Sequence, residues 1–168
     1  MTTHLREDEF DDFYRGDHHR LCGYLHVRGA TWEEALDIAH DTYVKLLEQF
    51  ATIASPRAWT RRVAANMLTD LQRRRVTQHA ALQSGRAGTE QSYQQPIIDD
   101  GEAERVVKLL QALPPRQREV IALTMDGYAP KEIAEFLGIA SNTVSASLRL
   151  ARHKLRDLIG ESCSGGLS

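Results

Sequence analysis

The sequence predicts an all-α protein built as two small helical domains joined by a flexible linker. Three observations carry this. Apolar residues recur at steps of three and four through both halves of the chain. No strand-like alternation or internal repeat interrupts them. Between the halves, TQHAALQSGRAGTEQSYQQPIIDDG is rich in Gln, Ser, Gly and Ala and poor in large apolar side chains. The predicted domains are therefore residues 7–76 and 102–159, with the linker over 77–101. A chain of 168 residues, 42% of them hydrophobic, has material for two modest cores.

The first domain opens with EDEFDDFYRGDHHRLCGYLHVRG, one or two amphipathic helices with Phe10, Phe13, Tyr14, Leu21, Tyr24 and Leu25 as the buried face. Gly29 ends the stretch. Thr31 and Glu34 stand at capping-box spacing and start a helix through Glu48, with Ala35, Ile38, Ala39, Tyr43, Leu46 and Leu47 as its apolar positions. After the connector QFATIAS, Ser55-Pro56 marks another helix start. Trp59, Val63, Met67 and Leu71 follow at i+4 steps as its predicted apolar stripe, and Arg61, Arg62, Asn66, Thr69 and Arg73 occupy the remaining circumference. A helix that must rest on a core while touching nucleic acid needs this division, although a solvated charged face would look similar.

In the second domain, Val106, Leu109, Leu110 and Leu113 define one helix. Pro114-Pro115 opens the next, which carries Val120, Ile121 and Leu123 and stops near Asp126-Gly127. PKEIAEFLGIASNTVSASLRLARHKLR then has helix-turn-helix spacing. Ile133, Ala134 and Leu137 face inward from a short first helix. Gly138 supplies the left-handed turn residue. Val144, Leu148, Ala151 and Leu155 line the inner side of a second helix, whose other side is free to enter a major groove. A core hairpin would share the spacing, but Arg149, Arg152, Lys154 and Arg156 favour DNA.

Net charge is −2, which excludes a uniformly basic coat, yet the charges are segregated. Residues 1–54 hold eleven Asp and Glu against five Lys and Arg, whereas residues 55–75 hold six Arg against one Asp. Such a split predicts different partners for different segments, with the basic one facing phosphate. Cys22 and Cys163 form no C-x-x-C pair and predict a reduced compartment. No apolar run approaches a membrane span and MTTHLREDEF lacks a signal-peptide core, so no membrane insertion and a cytoplasmic location are expected.

ALDIAHDTYVKLLE, SPRAWTRRVAANMLTDLQRRR and LLQALPPRQREVIALTMDGYAPKEIAEFLGIASNTVSASLRLARHKLR resemble, in this order, the core-binding helix, the promoter-melting helix and the C-terminal DNA-reading domain of the extracytoplasmic-function (ECF) class of bacterial sigma factors. The resemblance implies a factor that binds core RNA polymerase and directs promoter-specific initiation. Asp37, His40, Asp41, Tyr43 and Lys45 would face the clamp helices of the largest polymerase subunit, and the second domain would meet the flap. Acidic side chains there would steer a basic partner surface. Arg61, Arg62, Asn66, Asp70, Arg73 and Arg74 would lie along the minus-ten element, with the connector 49–54 helping to form a pocket for a base turned out of the duplex. Ser141, Asn142, Thr143, Ser145, Ala146, Ser147 and Arg149 would meet the minus-thirty-five element, with Lys131 and Arg152 on phosphates. Two departures stand out: His40 replaces a frequent Gln, and Ser145, Ala146 and Ser147 replace frequent basic residues. The resemblance also allows an anti-sigma protein as partner and implies no cofactor and no metal.

Two other classes compete. A stand-alone helix-turn-helix regulator would bind DNA without polymerase, but the acidic helix beside an Arg-rich one argues against it. His40-Asp41 with His18, His19 and Asp70 invites a metal phosphohydrolase reading. Neighbours on a helix point about 100° apart, away from a shared ligand position, so no enzyme is expected.

Overall fold

The computed structural model describes the backbone of residues 2–83 and 101–164. Its elements are α1 (Thr2–Val27), α2 (Trp32–Gln49), a 3-10 turn (Phe50–Thr52), α3 (Pro56–Gln83), α4 (Gly101–Gln111), α5 (Pro115–Met125), α6 (Pro130–Leu137) and α7 (Ser141–Ser164). Among the described residues there is no strand. They fall into two compact units, one of residues up to Leu25 and from Ala30 through α3, the other of His26–Gly29 and residues from Gly101 onward. Of the predicted linker, residues 77–83 instead continue α3, and 84–100 lie outside the described residues, as does the Cys163 side chain.

In the first unit, the segment predicted as one or two helices is one, α1. Gly29 at φ 105° then turns the chain, and the Ala30 N–H closes back on the Leu25 carbonyl at 3.1 Å. The capping box forms as predicted: Glu34 N–H donates to Thr31 Oγ1 at 3.2 Å and Thr31 N–H to Glu34 Oε2 at 2.9 Å. Leu21, Cys22, Tyr24 and Leu25 of α1, Ala35, Ile38, Ala39 and Leu46 of α2, and Ala64 and Leu68 of α3 make the core. The aromatic end of the α1 stripe lies at its edge. Phe10 and Phe13 are half-buried against Phe50, with ring centroids 5.4 and 6.0 Å away, and the partly exposed Tyr14 meets Tyr43 at 4.9 Å.

The packing of α3 and α2 departs from the expected pattern in two places. Trp59, Val63, Met67 and Leu71 are only half-buried; the buried stripe of α3 is Thr60, Arg61, Ala64, Ala65 and Leu68, about one residue around the helix. Ala64 and Ala65 let α2 approach α3 closely, which large side chains would prevent. Leu47, expected inside α2, is 55% exposed.

In the second unit α5 packs on α7, α6 crosses α7, and α4 touches α5 and α7. Leu110, Leu113, Val120, Leu123, Ile133, Ala134, Val144, Leu148 and Ala151 are buried among these helices. Pro115 and Pro130 each stand first in their helix, where the missing N–H costs nothing. Gly138 adopts φ 64°, and the Ile139 N–H reaches the Ala134 carbonyl at 3.0 Å, closing a Schellman turn. A Cβ on Gly138 would meet nothing within 4 Å, so the backbone angle alone demands glycine.

Val144 is fully buried where α7 leaves this turn. Val144→Asp strands a charge there. Helical circular dichroism should fall by the second unit's share, while fluorescence of Trp32 and Trp59, both in the first unit, should keep its native urea transition. Equal loss of both signals would show that the units do not fold separately.

Candidate functional site

The polar centre of the first unit takes two residues away from the surface roles predicted for them. Asp17 of α1 is buried. Arg61 Nη1 donates to its Oδ2 at 2.6 Å, and Tyr43 Oη donates to the same oxygen at 2.8 Å. Thr60 Oγ1 lies 3.1 Å from Arg61 Nη1 and 3.5 Å from Asp17 Oδ2. Arg61 is 0% and Tyr43 3% exposed. Arg61 is therefore corrected from a minus-ten contact to an internal ion-pair partner, and Tyr43 from a polymerase contact to an internal hydrogen-bond donor. Burial, then the Asp17 charge, pushes the Tyr43 hydroxyl well above the ordinary tyrosine range. Burial also pushes the neighbouring Cys22 thiol up to about 11.

The outward side of α2 carries the rest of its predicted group. Asp37, His40, Asp41 and Lys45 are exposed, with Lys45 Nζ lying 3.9 Å from Met67 Sδ. Between them stand three exposed large apolar residues, Leu36, Val44 and Leu47. Leu36 and Val44 fit no simple inward stripe, so periodicity alone does not reveal this patch. A surface mixing apolar area with acidic groups suits a protein partner. Burial, and then the neighbouring His19, hold the His18 imidazole below its usual range, with His40 contributing less. Among the described residues no group of three or more His, Cys, Asp and Glu is placed to hold a metal ion.

On α3, Arg62, Asn66, Asp70, Arg73 and Arg74 are all exposed. At 100° per residue, the first four fall within about 80° of one another, so they share one face. Asp70 and Arg73 are 3.8 Å apart, an exposed pair that leaves Arg73 able to exchange partners. Arg75, last of the Arg run, pairs instead with Glu34 at the start of α2.

On α7, Ser141, Asn142, Thr143, Ser145, Arg149 and Arg152 are exposed at the front and along one side, and Lys131 of α6 is exposed too. Ser145 Oγ donates to the Ser141 carbonyl at 3.2 Å. Ala146 is half-buried. Ser147, expected at the DNA surface, is 8% exposed and is corrected to a residue of the helix-packing side, beside Leu148 and Ala151. Further along, His153 pairs with Asp157 at 2.9 Å.

Residues 103–155, from α4 into α7, match the family described as Sigma-70, region 4. Over 160 residues the chain is 29% identical to RNA polymerase sigma factor YlaC of Bacillus subtilis, covering 89% of this chain and 91% of that protein. It is 28% identical to ECF RNA polymerase sigma factor SigM of Mycobacterium tuberculosis, covering 95% and 83%. Its fold is that of the sigma factor RpoE solved with the anti-sigma factor NepR from Bartonella quintana, with TM-score 0.70, 20% identity and coverage of 90% and 97%. The fold also matches CnrH solved with the cytosolic domain of CnrY, with TM-score 0.68, 24% identity and coverage of 92% and 90%.

Two measurements check the buried centre. Asp17→Ala leaves Arg61 buried without its carboxylate and should cost about 3–5 kcal/mol in urea unfolding followed by tryptophan fluorescence. Because folding raises the Tyr43 pKa, its contribution is complete below the unfolded value near 10 and declines as pH rises beyond it. Between about pH 9.5 and 11 the wild type should therefore lose stability faster than Tyr43→Phe. Parallel curves would mean that Tyr43 ionises as easily folded as unfolded.

Proposed function

We propose that this chain is an ECF-type member of the sigma-70 family of RNA polymerase sigma factors, that it binds core RNA polymerase through the outward side of α2 and that it directs promoter-specific transcription initiation. The observation that carries this reading is the length of the likeness: it runs over 89% and 95% of this chain in two curated relatives. A stand-alone helix-turn-helix regulator would share only the α4–α7 part.

The roles follow from chemistry. Leu36, Val44 and Leu47 offer apolar area to the polymerase clamp helices. Asp37, Asp41 and Glu48 around them favour basic groups on that partner, and His40 and Lys45 adjust the fit. Arg62, Arg73 and Arg74 hold phosphates of the minus-ten element, while Asn66 and Asp70 present amide and carboxylate groups to base edges. The short turn 50–54 has small, exposed Ala51, Thr52 and Ala54 that leave room for an extruded base.

In the second unit, Ser141, Asn142, Thr143 and Ser145 stand at the groove-entering end of α7. The Ala146 methyl suits a thymine methyl. Arg149 reads or grips deeper in the groove, and Lys131 and Arg152 take phosphates; the same unit docks on the flap. No catalytic role, cofactor or metal enters this account. The protein would work in the cytoplasm, where the polymerase is, and an anti-sigma protein covering its polymerase-binding surfaces is a fitting regulator. No helix among the described residues is long and apolar enough to cross a membrane.

The test is transcription in vitro with core polymerase across a promoter library, with footprints taken with and without core. Initiation at a defined promoter class is expected. Asp41→Ala should weaken core binding while leaving the second unit folded. Arg149→Ala should weaken upstream contact by about 1–3 kcal/mol with core affinity unchanged. A promoter footprint that needs no core polymerase would favour the stand-alone regulator.

A further inference from the structure

The Arg run that ends the basic segment is not one surface. Measured around α3 at 100° per residue, Arg73 lies about 20° from Arg62 and so continues the exposed face. Arg75 lies seven positions beyond Leu68, about 20° from it around the helix, and therefore continues the core-facing stripe of Ala64 and Leu68. By that point the core has ended: residues 73–80 are exposed. What meets Arg75 there is the start of α2. Glu34 Oε1 takes the Arg75 guanidinium, while Glu34 Oε2 accepts the Thr31 N–H at 2.9 Å. The carboxylate is 18% exposed and the guanidinium 48%. One side chain thus caps α2 and holds the outgoing part of α3.

We propose that Glu34 and Arg75 are positioning residues: their pair fixes the direction in which α3 leaves the core, and with it the placement of Arg73 and Arg74 on promoter phosphates. This rests on the reading of α3 as the minus-ten helix. Arg75 itself is not a phosphate contact, because its side chain is engaged on the opposite side of the helix from Arg62 and Arg73. The pair joins α3 beyond Leu71 to the start of α2. Losing it frees a helical extension that has little apolar packing of its own, with Val76 72% exposed. An exposed pair of this kind is modest in strength, so the effect on promoter opening is several-fold.

The experiment uses holoenzyme assembled from the full chain, with fluorescence of a base analogue in the minus-ten element reporting open complex, across a salt series. Glu34→Gln keeps an oxygen for the Thr31 N–H and removes the charge; Arg75→Gln removes the other partner. Each should lower open-complex yield several-fold, the double variant no further, and Arg75→Lys should restore most of it. Core affinity and the salt slope of promoter binding should stay at wild-type values. Arg73→Gln is the control: it should lower the slope by about 0.7–0.9, the change expected for one lost phosphate contact. A similar fall in slope for Arg75→Gln, or additive losses in the double variant, would overturn the proposal while leaving α3 as the DNA helix. An unchanged slope for Arg73→Gln would instead count against the minus-ten reading itself.

Discussion

One buried carboxylate organises the first unit. Taking Asp17 and Arg61 out of water costs several kcal/mol per ion, and attraction recovers that only with short, well-aimed bonds. The geometry meets the condition: 2.6 Å to Arg61, 2.8 Å to Tyr43, and Thr60 within reach of both ions. These bonds come from α1, α2 and α3, so all three helices must reach one point in one register. Apolar packing of buried residues such as Leu21, Leu46 and Leu68 tolerates small slides; a shared carboxylate oxygen does not. With Arg61 pointing inward, Arg62 and Asn66 must point outward. The exposed face of α3 proposed for DNA is therefore set by a bond in the core.

The same fact explains what the sequence could and could not tell. Features set by local chemistry were legible. The Thr31–Glu34 capping box, proline at the head of α5 and α6, the left-handed Gly138 and the buried Val144 all follow from spacing and backbone preference. Phase was not legible where two stripes competed. Trp59, Val63, Met67 and Leu71 look like the inner face of α3 because they are large and apolar, but close packing against α2 selected Ala64, Ala65 and Leu68. That shift of one position carries Arg61 into the core. No pattern rule places an arginine inside, since its burial depends on Asp17, forty-four positions away. Tyr43 was assigned correctly to the inner side of α2 by periodicity and wrongly to a partner by resemblance. Leu47 and Ser147 lie at the edges of their stripes, where periodicity is ambiguous: one is exposed and the other buried.

The exposed surfaces divide their physics by partner. On α2, apolar Leu36, Val44 and Leu47 lie among Asp37, His40 and Asp41. Apolar area gives such a contact persistence and the acidic groups give it direction and speed of encounter. On one face of α3 stand Arg62, Asn66, Asp70 and Arg73, and at the front of α7 stand Ser141, Asn142, Thr143 and Ser145, groups that suit a hydrated, phosphate-bearing partner. The near-neutral total charge thus conceals two surfaces of opposite character.

The front of α7 carries Ser141, Asn142, Thr143 and Ser145, small groups that make few strong base contacts, with Arg149 and Arg152 behind them. Guanidinium contacts to phosphate add affinity that is independent of sequence and falls with salt. Alone, such a helix would discriminate poorly. In a factor held on polymerase the second contact becomes intramolecular, and the two contacts multiply through effective concentration. Each DNA-facing helix then needs only a few kcal/mol of its own discrimination. Small recognition side chains are therefore consistent with specific initiation, and the surface of α2 proposed for polymerase would become a determinant of promoter choice without touching a base.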